Sequence, residues 1–357
     1  NVNLDSIPEN YRKRTQIELI NLDLRIKLIP ALLNLFTSKS YHVERFISHE
    51  FSSAITRILK NEKFDVIQLE SLFVTPYISL IRKYSKGLII LRAHNIEHLI
   101  WERLYKGEIN PLKKLYLRHL SRTLKKYEID AIKDVDGVVA ITNKDAQFFS
   151  SVISKEKVLA IPFGIQPEVI NNFKREIEKP VSVNTIFHLG SMNWMPNVEG
   201  IIWFLKEVWP EVSKLSPSLV LHLAGREMPE NIRSYSSERV IIDGEIENAI
   251  DYMHEYKVMI VPLFSGSGIR IKIIEGMLAQ CAIITTSIGA EGISYISGKH
   301  LLIADTKIEF IDNINRLIQN KEKIYELGSE ASEFVSQHHN NALLIEQLES
   351  FYHKLLH

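Results

Sequence analysis

A loop of small residues between a predicted strand and a predicted helix is the segment of this sequence best suited to bind an anion. Val258–Leu263 predicts a buried strand, and the helix that follows begins near Ile269. Gly266 and Gly268 in the intervening loop carry no Cβ, so a ligand can approach the backbone closely. The free N–H groups of a first helical turn and the positive end of the helix dipole both favour a negatively charged guest.

Two charged side chains of the helix extend this hypothesis to a nucleotide. Lys272 and Glu275 are three residues apart and share a helix face, whereas Arg270 and Lys272 diverge, so Lys272 is the predicted phosphate cation. A carboxylate one turn further along can accept hydrogen bonds from the vicinal hydroxyls of a ribose. The sequence therefore predicts a nucleoside diphosphate here. For the loop taken alone, a flexible Gly-Ser turn before a buried helix is the alternative.

Short β-rich runs alternate with stretches of helical period along the chain, which is typical of a parallel α/β fold. We predict two Rossmann-like, doubly wound domains that face a cleft. The first domain covers residues 1–165, a charged linker covers 166–181, the second domain covers 182–340, and a final helix covers 341–357. The predicted strands are Val66–Leu69, Gly87–Leu91, Gly137–Ile141, Val158–Ile161, Thr185–Leu189, Leu219–Ala224, Val240–Ile242, Val258–Leu263 and Ala282–Thr285.

The composition is that of an ordinary globular protein. Hydrophobic residues make up 45% of the 357 residues and charged residues 24%, and 43 basic residues balance 43 acidic ones, so nucleic acid is not an expected partner. Cys281 lies in an apolar run and predicts a buried residue in a reducing compartment. Since no apolar run approaches the ~20 residues of a spanning helix, we expect a cytoplasmic location, or a peripheral one at the inner membrane face.

Several motifs resemble those of glycosyltransferase family 4, which comprises retaining enzymes of the GT-B fold, and they occur in the order of that family. The resemblance covers nearly the whole chain from Phe64 onward. It implies a retaining hexosyltransferase of bacterial cell-surface polysaccharide synthesis, with a UDP- or GDP-sugar as donor, a glycan or lipid-linked acceptor, and neither cofactor nor metal. The motifs are Pro162-Phe163-Gly164, Phe187–Asn197, Ala224-Gly225-Arg226, Phe264–Met277 and Thr286–Gly292.

The resemblance also assigns roles to single residues. Gly268 and Ile269 would offer main-chain N–H groups to the diphosphate, and Gly190 would let the loop after the first strand of the second domain approach it. Glu275 matches the family's second glutamate, which holds the ribose. The expected donor contacts are Gly190, Asn193, Gly225, Arg226, Ser265, Gly266, Ser267, Gly268, Ile269, Arg270, Lys272 and Glu275, and the expected catalytic residues are His94, Lys272 and Glu275.

The sequence departs from the family pattern at two places. The family's first glutamate, which contacts sugar hydroxyls, falls on Ser267, so the identity of the donor sugar does not transfer. The family's arginine and lysine shortly after Gly190 are replaced by Met192, Asn193 and Trp194. Lys272 is therefore expected to supply the phosphate-binding charge alone.

A histidine follows the predicted strand Gly87–Leu91 directly. In the resembling family a histidine at the position of His94 contacts the transferred sugar, so His94 is expected to orient the donor while the leaving diphosphate acts as base. A histidine that caps the following helix is the alternative.

Two metal-binding patterns occur in the first half of the chain. His94, Glu97 and His98 have the spacing of a zinc hydrolase, but that site needs a helix beginning before His94, where a strand is predicted. The zinc hydrolase remains a distant alternative. Asp134-Val135-Asp136 matches an Asp-x-Asp metal motif, but it precedes a strand and predicts a solvated turn.

The segment Pro111–Tyr127 predicts a basic amphipathic helix. Apolar residues recur at helical spacing between lysines and arginines, so this helix either rests on anionic lipid or packs on the core with a solvated basic face. Relatives begin with a strand and a glycine-rich loop, and nothing in residues 1–65 resembles that unit. A catalytically weak protein that only binds nucleotide sugars is therefore the non-enzymatic alternative.

Overall fold

The computed structural model describes residues 7–25, 33–174, 184–266 and 268–357. The chain divides into two compact units, of which unit 1 comprises Asn1–Ala160 with Ser350–His357, and unit 2 comprises Ile161–Glu349. Each unit is built on one parallel sheet. The predicted α/β class with two Rossmann-like units is thus confirmed.

The sheet of unit 1 has four strands in the order β1-β2-β3-β4. Leu69 pairs with Leu91 and Ala140 pairs with both Ala93 and Ala160, so the carboxyl ends of all four strands lie at one edge. Side chains that follow these ends are therefore brought together. The strands are β1 (Val66–Leu69), β2 (Leu88–Ala93), β3 (Gly137–Ala140) and β4 (Val158–Ala160), all close to their predicted bounds.

Helices flank this sheet, and in residues 7–25 and 33–65 no strand precedes β1. The initial strand and glycine-rich loop of the resembling family therefore have no counterpart in those ranges. The α-helices are α1 (Glu9–Thr15), α2 (Tyr41–Glu44), α3 (His49–Asn61), α4 (Ile78–Tyr84), α5 (Glu97–Gly107), α6 (Pro111–Asp134) and α7 (Asn143–Ser150), with 3-10 turns at Leu72–Tyr77 and Lys155–Lys157.

A buried carboxylate from α6 caps the start of α5. Ile96 is the N-cap residue of α5 and offers no side-chain acceptor. Glu128 takes that role, because its Oε1 accepts from the main-chain N–H of Glu97 at 2.9 Å and its Oε2 from that of His98 at 3.1 Å. The His98 ring contacts the same carboxylate through Nδ1 at 2.6 Å, and both side chains are at most 2% exposed. These contacts hold the first turn of α5, which begins three residues after His94.

The sheet of unit 2 has six strands in the order β10-β9-β8-β5-β6-β7. The chain runs outward from β5 through β6 to β7 and returns to the other side of β5 at β8. The switch point of the sheet therefore lies between β5 and β8, where parallel sheets bind their ligands. The strands are β5 (Thr185–Leu189), β6 (Val220–Ala224), β7 (Val240–Gly244), β8 (Val258–Val261), β9 (Ala282–Thr285) and β10 (Leu302–Ile303).

The helix after β5 contains a π-helical segment, Phe204–Val208, that ends just before Trp209 and Pro210. Proline has no N–H and its ring disturbs the preceding turn, so one widened turn lets the helix continue. None of the helices in the described ranges is long and apolar enough to span a bilayer. The helices of unit 2 are α8 (Pro167–Lys174), α9 (Met195–Trp203), α10 (Trp209–Leu215), α11 (Glu230–Arg233), α12 (Ala249–Glu255), α13 (Ile271–Leu278), α14 (Lys307–Ile318) and α15 (Lys321–His338).

The predicted linker, residues 166–181, begins with a helix instead of an irregular segment. Helix α8 buries Ile170 and Phe173 against the core of unit 2, so this stretch contributes to that domain. Residues 175–181 lie outside the described residues. The last helix, α16 (Asn341–Leu356), begins in unit 2, and its residues from Ser350 onward group with unit 1.

We predict that Glu128→Ala lowers the free energy of unfolding by about 3–5 kcal/mol, because it leaves the buried donors of Glu97 and His98 without an acceptor. Urea denaturation followed by circular dichroism measures the loss. Hydrogen exchange should show faster opening of the first turn of α5.

Glu102→Ala is the matched control. Glu102 forms an ion pair with Lys106 at 2.7 Å near the surface of α5, so its removal should change stability by less than about 0.5 kcal/mol. Equal effects of the two substitutions would show that Glu128 does not act as the cap.

Candidate functional site

Two glycine-containing loops meet at the switch point of unit 2. The loop after β5 begins at Gly190, and the loop after β8 contains Gly266 and Gly268. Phe187 of β5 pairs with Met259 of β8, so the strands are adjacent and parallel. Their loops therefore leave the same edge of the sheet side by side.

The loops after β5, β6 and β7 are joined through the main chain. The N–H of Gly190 donates to the carbonyl of Ala224 at 3.0 Å, and the N–H of Gly225 donates to that of Gly244 at 2.7 Å. Gly225 has a φ of +148°, and a Cβ there would lie 1.8 Å from the Gly190 oxygen. Only glycine allows this approach, which leaves main-chain atoms rather than side chains at the sheet edge.

The loop after β8 presents main-chain donors at the start of α13. Gly266 and Gly268 have φ values of +104° and +86°, a region that favours glycine. The main-chain N–H groups of Gly268 and Ile269 have no hydrogen-bond partner within the described ranges. These two donors are thus free to bind an anion. The predicted contact Ser267 lies outside the described residues.

Arg270 stabilises the shape of this loop. Its side chain is buried, its Nη1 donates to the Gly268 carbonyl at 2.9 Å, and its guanidinium lies 5.0 Å from the centre of the Trp194 ring. A Cβ on Gly266 would lie 2.8 Å from both the Arg270 guanidinium and the Trp194 ring. Burial lowers the pKa of Arg270. The side chain is therefore held inside the protein, where it supports the loop.

The ammonium group of Lys272 is enclosed by residues of β5, of the loop that follows it and of α9. Its Nζ donates to Asn197 Oδ1 at 2.7 Å and lies 3.5 Å from His188 Nε2. A Cβ on Gly190 would lie 2.7 Å from the same Nζ. No carboxylate forms an ion pair with Lys272 in the described part of the chain. Burial, followed by the charge of Arg270, lowers the pKa of Lys272 to about 7.

Two residues that were not predicted from the sequence, Asn197 and His188, contact Lys272. Asn197 is buried, and its Nδ2 donates to the Ser191 carbonyl at 2.7 Å while its Oδ1 accepts from the lysine. His188 is fully buried in β5, and its Nδ1 donates to the Ile260 carbonyl at 2.9 Å, which leaves Nε2 as an acceptor. Burial and the nearby Lys272 lower the pKa of His188 well below its usual range. The only indication in the sequence was His188 itself, a polar residue within a strand predicted to be buried.

Glu275 lies one helical turn beyond Lys272 and is half-buried. Burial raises the pKa of its carboxyl group. Its carboxylate has no hydrogen bond or ion pair with any described residue. A half-buried carboxylate without a partner is costly unless a ligand supplies donors, and the two hydroxyls of a ribose are suitable donors.

The remaining predicted donor contacts lie at the same edge of unit 2 but are exposed. Ser265 Oγ donates to a Glu199 carboxylate oxygen at 3.4 Å, and Asn193 Oδ1 accepts from Ser191 Oγ at 2.9 Å. Arg226 pairs with a glutamate at 2.8 Å, and its side chain is 72% exposed. Solvent therefore surrounds these three side chains, in contrast to the enclosed ammonium of Lys272.

In unit 1, His94 follows β2 at the carboxyl edge of the sheet. Its side chain is 47% exposed, and its Nε2 lies 3.3 Å from Glu70 Oε2. Helix α5 begins only at Glu97, so His94 and His98 do not share a helix face as a zinc hydrolase requires. Burial and the charge of Glu128 raise the pKa of Glu97 to about 7. No group of three His, Cys, Asp or Glu side chains placed to hold a metal ion occurs in the described part of the chain.

Asp136, the second acid of the Asp-x-Asp pattern, has a structural role instead of lying in a solvated turn. Its Oδ2 accepts from the main-chain N–H of Ile89 at 2.7 Å and from Arg82 Nη2 at 2.6 Å. The carboxylate therefore ties the start of β3 to β2 and to α4.

Comparison with known proteins agrees with this architecture. Residues 183–320 match the family described as glycosyl transferases group 1. An uncharacterized 44.6 kDa protein in the cps region of Klebsiella pneumoniae is 24% identical over 298 residues, which cover 81% of this chain and 74% of that protein.

Two solved structures share the fold. HepE of Anabaena, solved in complex with UDP, has a TM-score of 0.60 and 14% identity, covering 84% of this chain and 81% of its own. TarM of S. aureus, solved with UDP, Fondaparinux and alpha-GlcNAc-glycerol, has a TM-score of 0.57 and 14% identity, covering 84% of this chain. This chain spans 58% of TarM, less than two thirds of its length. The likeness to these structures shows that the fold is GT-B, and the match of residues 183–320 supports a glycosyltransferase.

Proposed function

We propose that this protein transfers a sugar from a nucleoside diphosphate sugar to a glycan or lipid-linked acceptor, with retention of configuration and without a metal. The observation that carries the proposal is the enclosed ammonium of Lys272 on the helix that follows the free N–H groups of Gly268 and Ile269. These groups lie at the sheet's switch point and lack a negatively charged partner among the described residues. A diphosphate supplies the missing charge.

The positions of the charged groups favour a nucleotide over a simple phosphate. Glu275 lies one turn of α13 beyond Lys272, so a ribose attached to the diphosphate would reach its carboxylate. Gly190 and Gly225 carry no Cβ, so main-chain atoms lie at the neighbouring edge of the sheet, where the base or the sugar of the donor would approach. HepE and TarM were both solved with UDP, which makes a UDP-sugar the first donor to test.

The chemistry of transfer follows from the charge that develops on the leaving diphosphate. Lys272 and the N–H groups of the loop would stabilise that charge more strongly in the transition state than in the bound donor. His94 would orient the sugar, and the departing diphosphate would take the proton of the acceptor hydroxyl. Retention of configuration and the donor role of Arg226, Asn193 and Ser265 are part of the same proposal.

The acceptor is proposed to be a cell-surface glycan or its lipid-linked precursor, because the relative in Klebsiella pneumoniae belongs to a cps region. A protein that binds nucleotide sugars without transferring them is the second candidate, since no strand precedes β1 within residues 7–25 and 33–65. Sugar transfer to an acceptor distinguishes the transferase from the protein that only binds nucleotide sugars. Incubation with UDP-glucose and an oligosaccharide or lipid acceptor, with product anomers assigned by NMR, should give an α-linked product from the α-linked donor.

We predict that Glu275→Ala weakens UDP binding by about 1–3 kcal/mol, because the ribose hydroxyls lose their charged acceptor. Isothermal titration calorimetry measures the change, with chelator present throughout. The ligand 2′,3′-dideoxy-UDP should bind the wild type and the variant equally, since it cannot make this contact. Glu322→Ala, an exposed glutamate on α15, is the control and should bind UDP like the wild type. Unchanged UDP affinity in Glu275→Ala would refute the ribose assignment.

We predict that UDP affinity falls as pH rises above about 7, because the bound diphosphate requires a charged Lys272 whose pKa in the free protein is about 7. Below that pH the lysine is already charged, so its contribution is constant. Above it the affinity should fall by up to about tenfold per pH unit. Calorimetry between pH 7.5 and 9.5, where the terminal phosphate is fully ionised, measures this slope.

The Lys272→Met variant isolates the source of the pH dependence. Burial holds the pKa of His188 well below this range, and a guanidinium stays protonated throughout it, so neither His188 nor Arg270 replaces Lys272 as the titrating group. The variant should bind more weakly at pH 7.5 and should lose the pH dependence. A slope that persists in Lys272→Met would assign the titration to another group.

We predict that His94→Ala lowers kcat by roughly 100-fold while leaving UDP affinity unchanged, because the histidine would contact the transferred sugar and not the nucleotide. Steady-state transfer assays and calorimetry on the same preparation test both halves. His49→Ala, a surface histidine at the start of α3, serves as control. A parallel loss of UDP affinity would place His94 in nucleotide binding instead.

A further inference from the structure

Four aliphatic side chains face solvent where α5 and α6 meet. Ile109 is 94% exposed, Leu112 80%, Leu115 64% and Leu104 51%. Residues 108–110 connect the two helices, and the contacts of Glu128 with the start of α5 show that they run antiparallel. The four side chains therefore lie at one end of a helical hairpin. We call this set, Leu104, Ile109, Leu112 and Leu115, the hairpin tip.

The sequence placed the apolar residues of Pro111–Tyr127 on one stripe, but the structure divides that stripe. Leu120 and Leu124 are at most 3% exposed and pack into unit 1. Leu112 and Leu115 lie beyond the core, so the described part of the protein leaves them uncovered. Exposure of adjacent aliphatic residues at one point of a surface indicates an interaction site.

Basic residues surround the hairpin tip. Between residues 102 and 118 the basic side chains are Arg103, Lys106, Lys113, Lys114 and Arg118, and the acidic ones are Glu102 and Glu108. Both acids are already paired, with Lys106 at 2.7 Å and with Lys113 at 2.6 Å. Lys114 and Arg118 are exposed and form no ion pair within the described ranges.

We propose that the hairpin tip is a membrane-docking surface for a bilayer that contains anionic phospholipid. Ile109, Leu112 and Leu115 insert at the boundary of headgroups and acyl chains, and Lys114 and Arg118 contact the headgroup phosphates. The charge of this end complements an anionic leaflet. A protein partner fits less well, because protein interfaces are depleted of lysine and enriched in aromatic residues. Docking does not depend on the proposed sugar transfer, although it would bring the enzyme to a lipid-linked acceptor.

The test is co-sedimentation of the protein with vesicles of phosphatidylcholine alone or of phosphatidylcholine and phosphatidylglycerol in equal parts. We expect binding to the anionic vesicles at least about tenfold tighter than to the neutral ones, and weaker binding in high salt. The combined variant Ile109→Ser, Leu112→Ser and Leu115→Ser should lose at least about tenfold in partitioning.

A combined variant of unit 2 is the matched control. Leu215, Ile296 and Ile308 are 62%, 58% and 69% exposed, and their replacement by serine removes a comparable aliphatic surface. This control should bind vesicles like the wild type. Both combined variants change exposed side chains and should therefore fold, which thermal unfolding checks.

Insertion is distinguished from surface adsorption with Ile109→Trp. Its fluorescence should shift to the blue on anionic vesicles. Charge recognition is tested with Lys114→Glu combined with Arg118→Glu, which should abolish the preference for anionic vesicles. The proposal is overturned if the wild type does not bind anionic vesicles, or if the hairpin-tip variant binds as tightly as the wild type. It is also overturned if light scattering shows a wild-type dimer that the same variant converts to a monomer, because the tip is then a protein interface.

Discussion

The candidate site depends on a lysine ammonium group that the protein encloses without a counter-charge among its described residues. An ion removed from water is costly unless a group of opposite charge or several hydrogen bonds compensate it. Asn197 supplies one acceptor to Lys272, and His188 offers a lone pair at 3.5 Å. These neutral partners hold the side chain in place, but burial still lowers its pKa to about 7. A bound diphosphate would compensate this charge. The enclosure of the ammonium group therefore lowers the stability of the free protein but strengthens the binding of the ligand.

The glycines around this lysine are required by space and by backbone conformation. A Cβ on Gly190 would meet the Lys272 ammonium at 2.7 Å, and one on Gly225 would meet the Gly190 oxygen at 1.8 Å. The loops after β5 and β6 can therefore lie against α13 only if these positions lack side chains. Arg270 and Trp194 support the loop after β8 from inside, which keeps the N–H groups of Gly268 and Ile269 at the surface. The site therefore combines closely packed loops after β5 and β6 with the main-chain donors of the loop after β8.

Much of the fold was predictable from the sequence because buried parallel strands are short apolar runs. Thr185–Leu189 and Ala282–Thr285 have their predicted bounds, and the glycine loop and helix of Lys272 follow β8 as expected.

Asn197 and His188 were not predicted, because they meet Lys272 across 75 and 84 residues of chain and periodicity gives no information on such contacts. The segment predicted as a linker contains α8, in which two apolar residues among polar ones pack on the core of unit 2. The apolar stripe of α6 is buried at Leu120 and Leu124 but exposed at Leu112 and Leu115. Periodicity shows which residues share a helix face but not where the core ends.

The most direct test of the account is a crystal structure of the protein with UDP. The diphosphate oxygens should lie within hydrogen-bond distance of the main-chain N–H groups of Gly268 and Ile269 and of Lys272 Nζ, and both ribose hydroxyls should contact the Glu275 carboxylate. A nucleotide bound elsewhere, or one whose diphosphate leaves Lys272 without a contact, would contradict the account.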